Sequence, residues 1–285
     1  MENEKKITYI KGTYIWSFDK NYETKIKMIK SINGNIKLQN MTIFKDDNEF
    51  ILKPRCIIND PFDEDNSILL SCDIIDLQNK CNNYDSRMGF LKQMENFGNK
   101  IKKNNTKINF QQKFKFKNTN INITEVINKL IKYCLSTNIE LDEIDYTDQT
   151  IIVSNKLTNI LSACDEIYFI RYIFDKLCKN NKYEYDIIDK LNYKFIDDLT
   201  INDNGLNIIN EYLKKLELKH SSIKKNELHE SCHEKFSISN QINKDCIFIP
   251  KSVNSNKKGY FIDQRFVGNT DPYTIIFSNI NEIYS

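Results

Sequence analysis

The stretch Lys258–Tyr273 reads KGYFIDQRFVGNTDPY. Its Tyr- and Phe-rich first half has the residue types of a strand. GNTDPY then forms a turn at which a strand hands over to a helix. Upstream, the tail from Phe236 to Phe266 returns to strands after a run of helical patterns. Leu206–Leu218 is one such pattern. Ala163–Cys178 repeats Ile167, Ile170, Phe174 and Leu177, and Thr124–Leu135 repeats Val126, Ile127, Leu130, Ile131 and Cys134. Ser86–Phe97 places Met88, Leu91, Met94 and Phe97 at the same spacing, one face of a helix each time. Ile108–Lys117 (INFQQKFKFK) alternates apolar and polar residues as a half-buried strand does.

The N-terminal part is different. Ile7–Phe18, Lys25–Ile29, Phe50–Lys53 and Ile68–Asp76 read as strands, separated by turn clusters such as SINGN and NDPFDEDN. The polar segment Gln78–Asp85 reads as a linker. The expected fold class is α+β, with a small β-rich domain over 1–85 and a larger domain of one sheet with helices over 86–285. No internal repeat is visible.

Composition narrows the function classes. The chain has 285 residues, 40% hydrophobic and 28% charged, with a net charge of +2. Lysines interleave with acids, which speaks against a dedicated nucleic-acid face. No apolar run approaches the ~20 residues of a membrane span. The start, MENEKKITYI, is too charged for a signal peptide, so a reducing cytoplasmic setting is expected. The 8 cysteines are then free thiols packed as small apolar groups. Asn, Ile and Lys dominate, as in proteins from AT-rich genomes. With only 7 Gly and 4 Pro, the chain has few glycines for cradling phosphates on backbone amides.

Five stretches, in order, resemble the eukaryotic type of glutamine synthetase. The family's KGYxEDRRPxxNxDPY strand corresponds to KGYFIDQRFVGNTDPY. YIWSFDKNYETKIKMI from Tyr14 resembles its opening strand pair, and FILKPRCIINDPFDEDNSILLSCD from Phe50 its ILYPxxIFxDPFRxxNNILVxCD segment. LSACDEIYFIRYIFDKL from Leu161 resembles a long helix, and LHESCHEKFSISNQINKDC from Leu228 its HETxxxxDKFSxGxxNRGC segment. The resemblance spans Tyr14 to Tyr273. It implies an N-terminal β-grasp-like domain, a catalytic α+β domain and ring-forming homo-oligomers. It also implies a reaction that joins ammonia to glutamate through a γ-glutamyl phosphate, with ATP and Mg²⁺.

The same resemblance points to a degenerate former metal and substrate site. The family's E-x-E pair falls on Gln111 and Lys113, and its xEVMPGQWE loop on IDYTDQTIIV, which keeps Asp145 but has Ile152 for the second acid. Its WNGAGxHTN loop falls on LNYKFIDDL, with Asp197 at the ligand histidine and Tyr193 and Phe195 at glycines. The acid of EDRR is Ile262, its first arginine Gln264, and its second remains as Arg265. The arginine of NRG is Lys244, which lacks the planar fork that grips a carboxylate, and the arginine of SIRV falls at Ile249. The DGSSTxQ loop is missing between Met41 and Lys45. The implied protein is a pseudoenzyme with a structural or interaction role and no cofactor. The alternative is a divergent ligase with displaced ligands, using Mg²⁺ and ATP. With the metal lost, Lys113 is expected to pair with Asp145 or Asp197.

One further motif competes. His229–His233 is a literal HExxH, which on a helix sets two histidines around Zn²⁺ with Glu230 as general base. Its flanks lack the apolar face such a helix needs, so three neutral, partly exposed side chains, His229, Cys232 and His233, are expected instead, with a structural zinc held by the same three as the alternative. Trp16 and the aromatic strands are expected to be core, and Lys25 and Lys27 solvated.

Overall fold

A computed structural model describes residues 6–18, 21–45, 48–63, 67–77, 86–118, 120–241 and 245–285. The chain divides into two compact units, residues 1–87 with 132–139, and residues 88–131 with 140–285. The expected linker Gln78–Asp85 lies outside the described residues.

The first unit is a six-stranded sheet of β1 (Ile7–Phe18), β2 (Asn21–Ile32), β3 (Asn35–Ile36), β4 (Met41–Lys45), β5 (Asn48–Asn59) and β6 (Ser67–Asp76), in the order β3-β2-β1-β6-β5-β4. The central β1–β6 pair is parallel, and β1 pairs antiparallel with β2 over its whole length. Period-two alternation builds the core: Ile10, Tyr14 and Trp16 of β1 join Leu52 of β5 and Ile68, Leu70 and Ile74 of β6 on one face. Trp16 is core as expected, with its indole N–H donating to Glu23 at 3.1 Å. The opposite face carries Ile7, Tyr9, Ile26 and Met28, all exposed. β3 covers β2 only at Ser31 and Ile32, so the outer edge of β2 before Ser31 has no ladder partner among the described residues.

The second unit opens with α1 (Ser86–Lys103) and β7 (Lys107–Phe116). There follow α2 (Ile123–Ser136), the hairpin β8 (Leu141–Thr147) and β9 (Thr150–Asn155), β10 (Thr158–Asn159) and α3 (Ile160–Asn180). Next come β11 (Tyr185–Ile187), β12 (Lys190–Ile196) and α4 (Gly205–His220). The chain ends with β13 (Ile238–Ser239), β14 (Ile247–Phe248), α5 (Lys251–Asn256), β15 (Phe261–Val267) and α6 (Pro272–Tyr284). Its nine-stranded sheet runs β13-β14-β15-β12-β7-β9-β8, with β10 and β11 also on β7. The segment expected as strands after Phe236 therefore contains a short helix, α5.

The core lies on one face of this sheet. Phe114 of β7 stacks on Phe174 of α3 at 4.0 Å between ring centroids, and Phe195 of β12 on Phe261 of β15 at 5.2 Å. The turn after β15 is tied down twice. Asp271 caps α6, its carboxylate accepting from Tyr273 N at 2.9 Å and Thr274 N at 3.0 Å. Buried Arg171 of α3 donates to Gly268 O at 2.7 Å, to Thr270 O at 3.0 Å and to Gln112 at 2.8 Å. Among the described residues, no helix is long and apolar enough to cross a membrane.

Candidate functional site

The other face of the nine-stranded sheet is where the sequence-predicted residues converge. Phe110, Phe114 and Phe116 of β7 are buried in the core, so alternation sends Asn109, Gln111 and Lys113 to the opposite face. Register extends the row. Gln111 lies opposite Asn192 of β12 and Ser154 of β9, and Lys113 opposite Ile152, which lies opposite Asp145 of β8. Lys194 of β12 lies opposite Asn109 on one side and Ile262 of β15 on the other. Gln264, two residues on from Ile262, shares its face. Gln111, Lys113, Asp145, Ile152, Ile262 and Gln264 thus belong to one surface.

The chemistry of these six is amide, ammonium and aliphatic, with Asp145 their single carboxylate. Asn192 Nδ2 donates to Gln111 Oε1 at 3.2 Å. The Lys194 ammonium sits 4.1 Å from the centre of the Tyr260 ring, a cation–π contact. Lys113 Nζ donates to Asp189 at 3.0 Å, in the turn between β11 and β12. This corrects the expected pairing with Asp145 or Asp197. Asp145 is on β8, two strands from β7 and so about 10 Å away, and its carboxylate accepts from Tyr146 N at 2.8 Å.

Two divalent cations would need several converging anionic oxygens. Among the described residues, no group of three or more His, Cys, Asp and Glu side chains is placed to hold a metal ion. The residues present on this face do not fit a pair of Mg²⁺ ions.

Two expected site residues belong elsewhere. Arg265 alternates with Gln264 and points into the core, where its guanidinium grips Asp263 with Nε at 3.0 Å and Nη2 at 2.7 Å. Nη2 also donates to Asn279 of α6 at 2.8 Å, and Tyr193 OH to Asp263 at 3.1 Å. Asp197, past the end of β12, is a buried acceptor for Thr200 N at 2.9 Å, Tyr212 OH at 3.0 Å and Tyr284 OH at 3.1 Å. It joins α4 and α6 to the sheet instead of facing the site. Burial pushes the Tyr193, Tyr212 and Tyr284 phenols up, and the neighbouring carboxylates add to the shift. Lys244 lies outside the described residues.

The HExxH motif does not form a helix. Glu230–Cys232 is a single 3-10 turn capped by His229, whose ring accepts from Ser231 N at 3.3 Å. His233 Nε2 lies 3.0 Å from Leu228 O, to which it donates. The two histidines are partly exposed, as expected, but Cys232 is fully buried, which corrects that part of the reading. Sequence reasoning also missed Asp263 and Asp189. The alternation of FIDQRFV was a signal for the first, while the second has none.

The architecture matches solved structures of a glutamine synthetase and of GmaS. A Plasmodium falciparum glutamine synthetase superposes with a TM-score of 0.70 at 10% identity, over 96% of this chain and 71% of that one. A GmaS–ADP complex gives 0.68 at 8% identity, over 96% and 78%. A ligand-free GmaS gives 0.70 at 10% identity, over the same 96% and 78%. No protein-family model matches the chain, and no curated protein is similar to it in sequence. Its fold is of the glutamine synthetase type.

Proposed function

We propose that this chain, built on the glutamine synthetase fold, is a non-catalytic structural or protein-interaction component of a reducing cytoplasm, with no glutamate–ammonia ligase activity and no cofactor. The observation that carries this reading is the donor set of the open sheet face. Gln111 and Lys113 of β7, Ile152 of β9 opposite Lys113, and Ile262 of β15 on the far side of β12 stand on this face where the resemblance expects four acids. An amide offers one neutral oxygen, two isoleucines offer none, and an ammonium repels a dication. Gln264 and Lys244 likewise lack the guanidinium fork for a substrate carboxylate. Without metal or anion grips, charge developing on a transferred phosphoryl group would go unstabilised.

Self-assembly is the second part of the proposal. It is supported by the apolar residues that the first unit exposes, Ile7, Tyr9, Ile26 and Met28, which lie on one sheet face. A γ-glutamyl transfer assay with Mg²⁺ and with Mn²⁺ tests the catalytic part, together with calorimetric titration of MgATP. No product above the blank and no specific heat are expected. Measurable glutamine formation would instead favour the divergent ligase with displaced ligands. Light scattering tests assembly, and a clean monomer at micromolar concentration would refute that part alone.

A further inference from the structure

Two strands end their sheets with an open side and carry opposite charge. β2 pairs with β1 along its whole length, and β3 covers its other side at Ser31 and Ile32 alone among the described residues. β8 ends the nine-stranded sheet and pairs with β9 alone among the described residues. β2 carries Lys25, Lys27 and Lys30, and β8 carries Asp142, Glu143 and Asp145. Lys25, Ile26 and the three acids are exposed, and Lys27 is half-buried. A cavity of about 440 Å³ beside Lys27, Met28 and Lys30 gives an added strand room.

Backbone phase decides which residues of the two edges can meet. Asn33 N donates to Lys6 O at 2.9 Å, continuing the β1–β2 register. Alternation then turns the N–H and C=O of Lys25, Lys27 and Ile29 to β1, and those of Thr24, Ile26 and Met28 outward. On the other sheet Lys156 N donates to Glu140 O at 2.8 Å, so the even-numbered residues of β9 face β8. Their partners Glu143, Asp145 and Thr147 face β9 in turn, and Ile144 and Tyr146 face outward. Outward groups must meet outward groups for two edges to form an antiparallel ladder. Ile144 can therefore stand opposite Ile26 but not opposite Lys25 or Lys27.

We propose that β8 of one copy of this chain adds to the outer edge of β2 of another, antiparallel, with Ile144 opposite Ile26. The inference rests on the self-assembly reading above and names its contact. This register sets Glu143 against Lys27, Asp145 against Lys25 and Tyr146 against Thr24. Both ion pairs then occupy non-hydrogen-bonded positions, where Cα atoms are ~4.5 Å apart and side chains are closest. Ile144 meets Ile26 on the other face. Sliding β8 by two residues toward Ser31 would set Glu143 against Ile29 and Thr147 against Lys25. Sliding it the other way would set Asp145 against the acid Glu23. In the single copy Tyr146 N donates to the Asp145 carboxylate at 2.8 Å. Pairing gives that N–H the carbonyl of Thr24 and releases Asp145 to Lys25.

The test reverses the charge of each edge in the full chain. One variant carries Lys25→Glu and Lys27→Glu, the other Glu143→Lys and Asp145→Lys, with circular dichroism to check that each folds. Association is followed by analytical ultracentrifugation over the micromolar range. Each variant alone should associate at least about tenfold more weakly than the parent, since two attractive cross-strand pairs become repulsive. An equimolar mixture of the two should return to the parent's affinity, because an acidic β2 then meets a basic β8. An oligomeric parent whose variants associate equally well, or whose mixture stays dissociated, overturns this contact and leaves self-assembly standing. A monomeric parent refutes both. If a reversed variant does not fold, disulfide trapping between Lys27→Cys and Glu143→Cys copies decides the matter. That mixture should cross-link between copies faster than Lys27→Cys with Asp145→Cys, and the opposite order, or a link within one chain of the Lys27→Cys/Glu143→Cys double variant at high dilution, would overturn the inference.

Discussion

Replacing Asp263 with alanine would strand the guanidinium of Arg265 inside the second unit. Both side chains are sealed from water, at 1% exposure for Arg265 and 0% for Asp263. The carboxylate accepts from Arg265 Nε, Arg265 Nη2, Arg265 N at 3.0 Å, Tyr193 OH and Asn279 Nδ2 at 3.1 Å. Of the guanidinium's hydrogen bonds in this cluster, that to Asn279 Oδ1 survives the substitution, beside its contacts with the Phe236 and Phe266 rings. Removing one partner of a buried pair costs about 3–5 kcal/mol, because the other charge remains desolvated. In a unit of this size each kcal/mol lowers the melting temperature by about 2–4 °C, so Asp263→Ala should melt about 10 °C below the parent. Circular dichroism melts give the number. A double-mutant cycle with Asp263→Leu and Arg265→Met identifies its origin. The double variant should recover much of the loss, since both desolvation costs vanish together. An unchanged midpoint for Asp263→Ala, or a double variant as unstable as the sum of the singles, would refute a stranded buried charge.

The Lys113–Asp189 pair should behave differently. Its side chains are 12% and 53% exposed, so Lys113→Ala should cost no more than about 1 kcal/mol, and a loss rivalling that of Asp263→Ala would show a far drier pair. Alkali should unfold the protein before it affects most of its surface. The Tyr193, Tyr212 and Tyr284 phenols are raised above 10.0 by burial, so their stabilisation is complete below pH 10.0 and lost as pH rises through their folded values. A urea midpoint that holds level well above pH 10 would contradict this, and Tyr212→Phe should soften the fall. At Gly205 an added Cβ would lie 1.9 Å from Thr200 O, so Gly205→Ala should destabilise by about 1–3 kcal/mol despite alanine's helix propensity. A Gly205→Ala variant as stable as the parent would show that the start of α4 yields freely.

The fold was legible wherever burial imposed a period. Ile167, Ile170, Phe174 and Leu177 are all buried on α3, and β1, β5 and β6 show their alternation directly. The β8–β9 hairpin was harder to see, because β8 is exposed along most of its length and carries acids among its apolar residues. α5 was invisible, since KSVNSN buries only Val253 and offers no stripe. The open sheet face was readable because strand motifs carry Gln111, Lys113 and Ile262. Motif matching alone misassigned Arg265, whose facing depends on strand parity. Asp197 was misassigned for a related reason, as its partners Tyr212 and Tyr284 arrive from helices distant in sequence. The partner of Lys113 is 76 residues away, in a turn where Asp189 takes φ 55°, and no local pattern announces it.

The open outer edge of β2 bears on the symmetry of any assembly. A bare strand edge invites another strand, and a second β2 would be the nearest candidate in solution. Lys25, Lys27 and Lys30 lie along that edge against the single acid Glu23, which is engaged by Trp16 and by Lys45. A two-fold pairing of β2 with itself would bring like charges together and leave no acid to offset them. Such a twofold dimer is therefore disfavoured at low ionic strength and released by added salt, with the Debye length falling to ~3 Å at 1 M. Head-to-tail contacts, in which this edge meets a different surface, escape the penalty. They are also the contacts that close into rings or run on as filaments.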